Sequence, residues 1–202
     1  MNFGFIGAGT VAQTIARHVL PLGHQVVLSN RGGPASLQEI AAGLGDGARA
    51  GTIQEAADQE IVVLAVMWSH VGEALSSVSD WAGRTLVDAT NRFESIDPLT
   101  VGDISGPTSS ELVADLAPGA KIVKAFNNIP MAWIGDFSAT KPRTVLFISG
   151  DDDAAKEPLR RVIEEAGLGC IDLGSLAIGG RLQQVGGPLA GVNLTMSDKL
   201  RL

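Results

Sequence analysis

Gly7, Gly9 and Ala12 fall in Gly7-Ala8-Gly9-Thr10-Val11-Ala12, straight after the apolar run Phe3 to Ile6 and straight before Val11, Ile15 and Val19 at helical spacing. A Gly-x-Gly-x-x-Ala turn has chemical meaning in that order of strand, turn and helix. Gly7 permits the tight turn, Gly9 lets backbone approach a pyrophosphate, and Ala12 is small enough for the helix to lie close to the strand. The helix N-terminus offers unpaired N–H groups to an anion. The chemistry expected of this turn is dinucleotide binding.

About twenty residues past Gly9, an NAD binder usually shows Asp or Glu to hold the ribose hydroxyls. Here the apolar run Gln25 to Leu28 leads into Ser29-Asn30-Arg31-Gly32-Gly33. No carboxylate stands there to repel a phosphate, whereas Arg31 can form charge-assisted bonds to one. The expected cofactor is therefore NADP(H). Its candidate contacts are Gly7, Ala8, Gly9, Thr10, Val11, Ala12, Ser29, Asn30, Arg31 and Ser36, with Val66, Met67, Trp68 and Asn91 further along.

Candidates for the chemical step sit at later strand ends. Trp68 and His70 leave the fourth strand, where a nicotinamide ring would lie; either they meet substrate, or Trp68 packs under the cofactor and His70 caps local structure. Asn127 opens Asn127-Asn128-Ile129-Pro130-Met131, whose amides hold a carboxamide or ring carbonyl, or else form a well-bonded turn. Lys124 is expected to point its amine into solvent unless it orients substrate, and His18 and His24 are read as structural. The chain has no Tyr, which removes the Tyr-Lys style of ketone reduction. Hydride transfer between two flat redox rings needs chiefly proximity and alignment, because the cofactors carry the chemistry. The sequence fits that mode better than reduction of a small imine or carbonyl, or a nonenzymatic NADPH-binding role.

The elements that must position these residues alternate. Strands are expected at Ala48 to Ala50, Ile61 to Val66, Thr85 to Asp88, Lys121 to Phe126, Thr144 to Ile148 and Cys170 to Leu173. Helices are expected at about Pro34 to Leu44, from the capping box Thr52 to Glu55, at about Ser69 to Val78, from the capping box Thr108 to Glu111, and at about Ala154 to Glu165. Ala89 to Pro107 reads as irregular. The unbroken apolar run Ile61 to Val66 suits a parallel strand covered on both faces. The fold class expected is α/β, a doubly wound parallel sheet of about eight strands in one domain, residues 1–126 forming the dinucleotide-binding core and 127–202 an extra strand-helix-strand unit with a C-terminal helical segment. Its ligand crevice lies at the carboxyl ends of the first and fourth strands.

The bulk numbers narrow the class. The 202 residues are 45% hydrophobic with a net charge of −7, which suits one domain and would repel a polyanion such as nucleic acid. The first residues lack a signal peptide's cationic flank and the longest apolar run is too short to span a bilayer, so a cytoplasmic protein without membrane contact is expected. Cys170, the single cysteine, reads as a strand residue, and no Cys/His cluster suggests a metal. No large helical substrate domain is expected of a chain ending at Leu202. The second wall of the site is expected from residues 127 to 143, the C-terminal segment or another subunit, with Met131, Trp133 and Ile134 sealing the interface of a homodimer.

Gly-Ala-Gly-Thr-Val-Ala, Ser29-Asn30-Arg31, Trp68-Ser-His70, Ser109-Ser-Glu111, Ala125 to Pro130, Gly150-Asp-Asp-Asp153 and Gly180-Arg-Leu182 follow in an order that resembles the F420-dependent NADP reductases along nearly the whole chain. The chain is also similar to the NADPH-binding domain of the six-transmembrane epithelial metalloreductases. The first resemblance implies a soluble dimer moving hydride between NADPH and the deazaflavin ring of coenzyme F420; the second implies electron transfer from NADPH through flavin and haem. The first resemblance also implies that Trp68, Asn127, Ile129 and Pro130 flank the nicotinamide and acceptor cleft. The chain departs from the first family in reading Ser-Asn-Arg for a tandem Ser-Arg and in placing Asn127 where a His is typical. A deazaflavin or flavin-like ring is the expected acceptor.

Overall fold

Side chains alternate between two apolar layers along β1 (Asn2–Ile6), β2 (Gln25–Ser29), β3 (Ala48–Ala50), β4 (Ile61–Leu64) and β5 (Thr85–Asp88), all parallel, in the spatial order β3-β2-β1-β4-β5. Residues 1–134 and 143–197 are described in this computed structural model. Phe3, Phe5, Val26, Leu28, Ile61 and Val63 join one buried cluster, and Ile6, Val27, Val62 and Leu64 join the other. Two-sided burial is the physical reason these strands read as continuous apolar runs. The first layer is covered by α1 (Thr10–Val19) and α2 (Gln38–Leu44), the second by α3 (Ile53–Ala57) and α4 (Val71–Ser76).

The chain then leaves β5 through a two-stranded antiparallel hairpin, β6 (Phe93–Ile96) and β7 (Leu99–Val101), where irregular chain was expected. Its strands are short and enclose Asp97-Pro98, and a proline in a short run weakens a strand reading. After α5 (Ser109–Leu116), β8 (Lys121–Lys124) pairs parallel with β5. Next come β9 (Arg143–Gly150), α6 (Asp153–Glu165), β10 (Gly169–Asp172), α7 (Arg181–Gln183) and β11 (Thr195–Met196).

The sheet runs β10-β9-β8-β5-β4-β1-β2-β3, with β11 pairing on β9. It is doubly wound as expected, except that β9 is antiparallel to β8. A parallel return needs a crossover helix, and the described part of the β8–β9 connection contains only a short 3₁₀ turn, Met131–Trp133. Both expected capping boxes form: Thr52 and Glu55 open α3, and Thr108 and Glu111 open α5, each with reciprocal backbone and side-chain bonds. The C-terminal segment is less helical than expected, holding a π-type turn Leu176–Gly180 and the short α7 before β11.

Met131 and Ile134 are buried within the chain's own core, so the apolar seal expected from them lies inside this chain. Residues 135–142, also assigned to the second wall, lie outside the described residues, as does the Trp133 side chain. No helix among the described residues is long and apolar enough to cross a membrane.

Candidate functional site

The turn between β1 and α1 is built by two glycines that do different things. Gly7 has φ +108°, and a Cβ there would clash with the Ala65 carbonyl oxygen, so the turn closes onto the end of β4 only without a side chain. A Cβ on Gly9 would meet nothing within 4 Å. Gly9 thus faces open space at the N-cap of the ten-residue α1, whose first turn has no side-chain cap and no acidic residue. Bare N–H groups beside open space are the cradle that a pyrophosphate needs, so the residues present fit a bound dinucleotide. Ala12 is fully buried against the sheet, as its small size predicts, and Ala8 packs on the same layer, its carbonyl accepting from the Gln13 amide at 2.9 Å.

Gly9, Val66 and Met67 line cavities on both sides of this turn. On one side is a pocket of about 490 Å³ whose walls include Gly7, Asn30, Arg31, His70 and Glu73. On the other is a cleft of about 310 Å³ between Thr10, Val11, Trp68, Asn91 and Phe93. Beyond it a larger opening of about 620 Å³ runs between the hairpin residues Phe93, Leu99 and Val101, the segment Asn127 to Met131, and Gly186 to Gly191. Met67 is exposed over this groove.

Trp68 and His70, expected together, part company. Trp68 faces the 310 Å³ cleft, with the Arg92 guanidinium 5.9 Å from its ring centre. His70 faces the pocket that holds Arg31, because the chain from Trp68 to His70 makes a 3₁₀ turn before α4. His70 therefore does not line the Trp68 cleft. Glu73, one helical turn further, sits 3.6 Å from Arg31 and 3.9 Å from the His70 ring. The pocket does contain a carboxylate after all, delivered from α4 and not from the end of β2. Its sequence signal was the i, i+3 spacing to His70, which puts both on one helix face.

Ser29 is a second correction. Its hydroxyl is fully buried and donates to the Phe5 carbonyl at 2.7 Å, and its own carbonyl accepts from Gly7 N–H at 2.9 Å. It pins β2 to β1 and shapes the turn from beneath. The Ser36 hydroxyl lies 3.1 Å from the Asn30 side-chain oxygen and 2.7 Å from the Gly33 carbonyl, which orients Asn30.

Lys124 is the third. It is wholly buried, its amine 3.0 Å from the Asp88 carboxylate and 3.1 Å from the Thr90 carbonyl. Asp88 also accepts from the Ser110 and Thr90 hydroxyls, each at 2.6 Å. Burial alone would push the Asp88 carboxyl upward, but Lys124 and these hydroxyls overcome it and hold the group below the usual carboxylate range. The pair is committed to structure, so Lys124 is no proton donor for substrate. Cys170 lies in β10 with its thiol pushed up to about 12, first by burial. His18, lowered to about 4 by burial and then by Arg17, and His24 lie away from the groove.

Asn127 and Asn91 come together at the cleft. Asn91 donates to the Asn127 carbonyl at 3.0 Å, and Asn127 donates to the Asn91 side-chain oxygen at 3.2 Å and to the Gln183 carbonyl at 2.9 Å. Phe126, with φ 60°, makes the bend that brings Asn127 there, a conformation a bulky residue adopts only under tertiary constraint. Among the described residues, the Asn127 side-chain oxygen and both amide atoms of the buried Asn128 have no hydrogen-bond partner. The C-terminal contributors, Gln183 and the glycines after it, carried no distinguishing pattern in the sequence.

A doubly wound sheet, an open glycine turn at its switch point and a pocket beside it that holds Arg31 are the features of a dinucleotide-binding fold. Residues 2–92 match the family described as NADP oxidoreductase coenzyme F420-dependent. Metalloreductase STEAP3 of Rattus norvegicus is 30% identical over 176 residues, covering 86% of this chain and 34% of that protein, so the chain spans about a third of this curated relative. Two solved structures cover most of both chains. A hypothetical protein, SMa0349, from Sinorhizobium meliloti is 33% identical with TM-score 0.89, covering 98% of this chain and 96% of its own. A putative F420-dependent NADP reductase from Arthrobacter sp. FB24 is 26% identical with TM-score 0.76, covering 87% and 86%. The chain is thus similar to the coenzyme F420-dependent NADP oxidoreductases over residues 2–92, and to these two solved structures over most of its length.

Proposed function

We propose that this protein passes hydride directly between NADP(H) and a flat redox ring, a deazaflavin such as coenzyme F420 or a flavin, seated in the cleft between Trp68, Asn91, Phe93 and Asn127. The observation that carries the reading is chemical: among the described residues, no titratable side chain lines either hydride-side cavity. Reduction of a carbonyl or imine needs a proton beside the hydride site, commonly from Tyr, Lys or His. Here Tyr is absent, Lys124 is locked to Asp88, and His70 faces the other pocket. Ring-to-ring transfer asks mainly for alignment.

NADP(H), when bound, supplies or receives the hydride; the chain's residues position the partners. Gly9 and the bare N-terminus of α1 take the pyrophosphate, and Arg31 with Asn30 takes the phosphate on the adenosine ribose. Trp68 and Met67 give flat, apolar contact; the unpartnered Asn128 side-chain NH2 supplies a donor for a ring carbonyl, and the unpartnered Asn127 side-chain oxygen an acceptor for a ring N–H. Homodimer assembly belongs to the same reading. Its support is that Ile96, Leu99 and Val101 leave the hairpin's apolar surface exposed beside the open cleft, and sedimentation velocity checks it.

Stopped-flow oxidation of NADPH against F420, FMN, FAD and quinones tests the proposal. Turnover with a ring acceptor is expected. Oxidation by a small imine or carbonyl compound, with none of the rings active, would overturn it.

A further inference from the structure

Arg31 is not a lone cation. Its guanidinium lies 3.6 Å from a Glu73 carboxylate oxygen, the same oxygen lies 3.9 Å from the His70 ring, and all three side chains line one pocket with Asn30 and Gly9. A phosphate entering there meets one cation that attracts it and one carboxylate that repels it. A ribose hydroxyl entering there meets a carboxylate that can accept a hydrogen bond from it, the role that an acid at the end of β2 plays in NAD binders.

We infer that Glu73 is a selectivity-determining residue: it is the counter-ion Arg31 keeps when the nucleotide carries no 2′-phosphate and gives up when it carries one. The inference rests on the reading above that Arg31 takes that phosphate. Because the Arg31 and Glu73 side chains are 74% and 58% exposed, breaking the pair costs little. What Glu73 changes is the comparison between nucleotides. Its negative charge opposes a phosphate of the same sign in the same pocket, while it leaves a plain ribose unopposed. Arg31 supplies the preference for NADP, and Glu73 holds that preference down and keeps NAD within reach.

Titration calorimetry of the full chain with NADP⁺, NAD⁺, 2′-AMP and 5′-AMP tests this on the wild type, Glu73→Gln and Arg31→Ala at one pH and ionic strength. Glu73→Gln, which keeps the shape and removes the charge, is expected to tighten NADP⁺ and 2′-AMP about three- to tenfold, the scale of one like-charge contact near water. NAD⁺ and 5′-AMP are expected to stay the same or weaken. An unchanged NADP⁺ to NAD⁺ ratio in Glu73→Gln, with Arg31→Ala losing NADP⁺ affinity, would overturn the role of Glu73 alone. Unchanged NADP⁺ affinity in Arg31→Ala would overturn the phosphate assignment, and the inference with it.

Discussion

The Lys124 amine lies 3.0 Å from the Asp88 carboxylate with both side chains fully buried, directly across the β5–β8 register where Asp88 faces Lys124. Removing one partner from a buried ion pair leaves an uncompensated charge, which costs about 3–5 kcal/mol. Asp88→Asn is therefore expected to lower Tm by about 10 °C, read by calorimetry or circular dichroism. Asp88→Leu combined with Lys124→Met, which removes both charges, is expected to recover much of that loss. Because the folded state holds Asp88 below its usual range, its contribution is complete above the unfolded value near 4 and is lost as pH falls through the lower folded value.

His18 gives a second pH signature at milder acidity. Burial, then Arg17, lowers it from 6.5 to about 4, so the unfolded chain binds its proton first. Stability is thus expected to fall as pH drops from about 6.5 toward 4, since the unfolded state binds more protons in that window. Thermal melts of wild type and His18→Gln between pH 7 and pH 4 check this. The variant is expected to show a flatter dependence.

In the proposed function the Asn91–Asn127 pair, which lines the opening away from Arg31, faces the acceptor. Asn127→Leu is expected to reduce kcat/KM for the ring acceptor about tenfold, the scale of one lost buried hydrogen-bonding group, and to leave NADP⁺ affinity within about twofold. Steady-state kinetics beside a nucleotide titration separates the two effects. A large loss of nucleotide affinity would contradict the division of the groove.

Thr108 accepts from Glu111 N–H and its own N–H donates to the Glu111 carboxylate, capping α5 from within the body of the protein. Thr108→Ala is expected to cost about 1 kcal/mol of stability, measured by urea unfolding. The same α5 carries Ser110 to Asp88, so a loss well above that figure would show the cap and the buried pair acting as one unit.

Local pattern carried the glycine turn, both capping boxes and the winding of the sheet, because each depends on neighbours in sequence. What local pattern does not encode lies where distant elements meet. Lys124 looked like a strand lysine facing solvent; only the register that sets Asp88 opposite it explains its burial. Ser29 had the right spacing for a cofactor contact, but its hydroxyl is taken by Phe5 across the β1–β2 pair. Glu73 reaches Arg31 because α4 returns to the end of β2 across the switch point, a relationship no short motif encodes. The hairpin β6–β7 was hidden by its brevity and by Pro98.

Titration calorimetry of the purified protein with NADP⁺ and NAD⁺, repeated on Arg31→Glu, tests the central assignment most directly. Tighter binding of NADP⁺ by the wild type is expected, with the variant losing about tenfold or more for NADP⁺ and far less for NAD⁺. Preference of the wild type for NAD⁺, or an equal loss for both nucleotides in the variant, would contradict it.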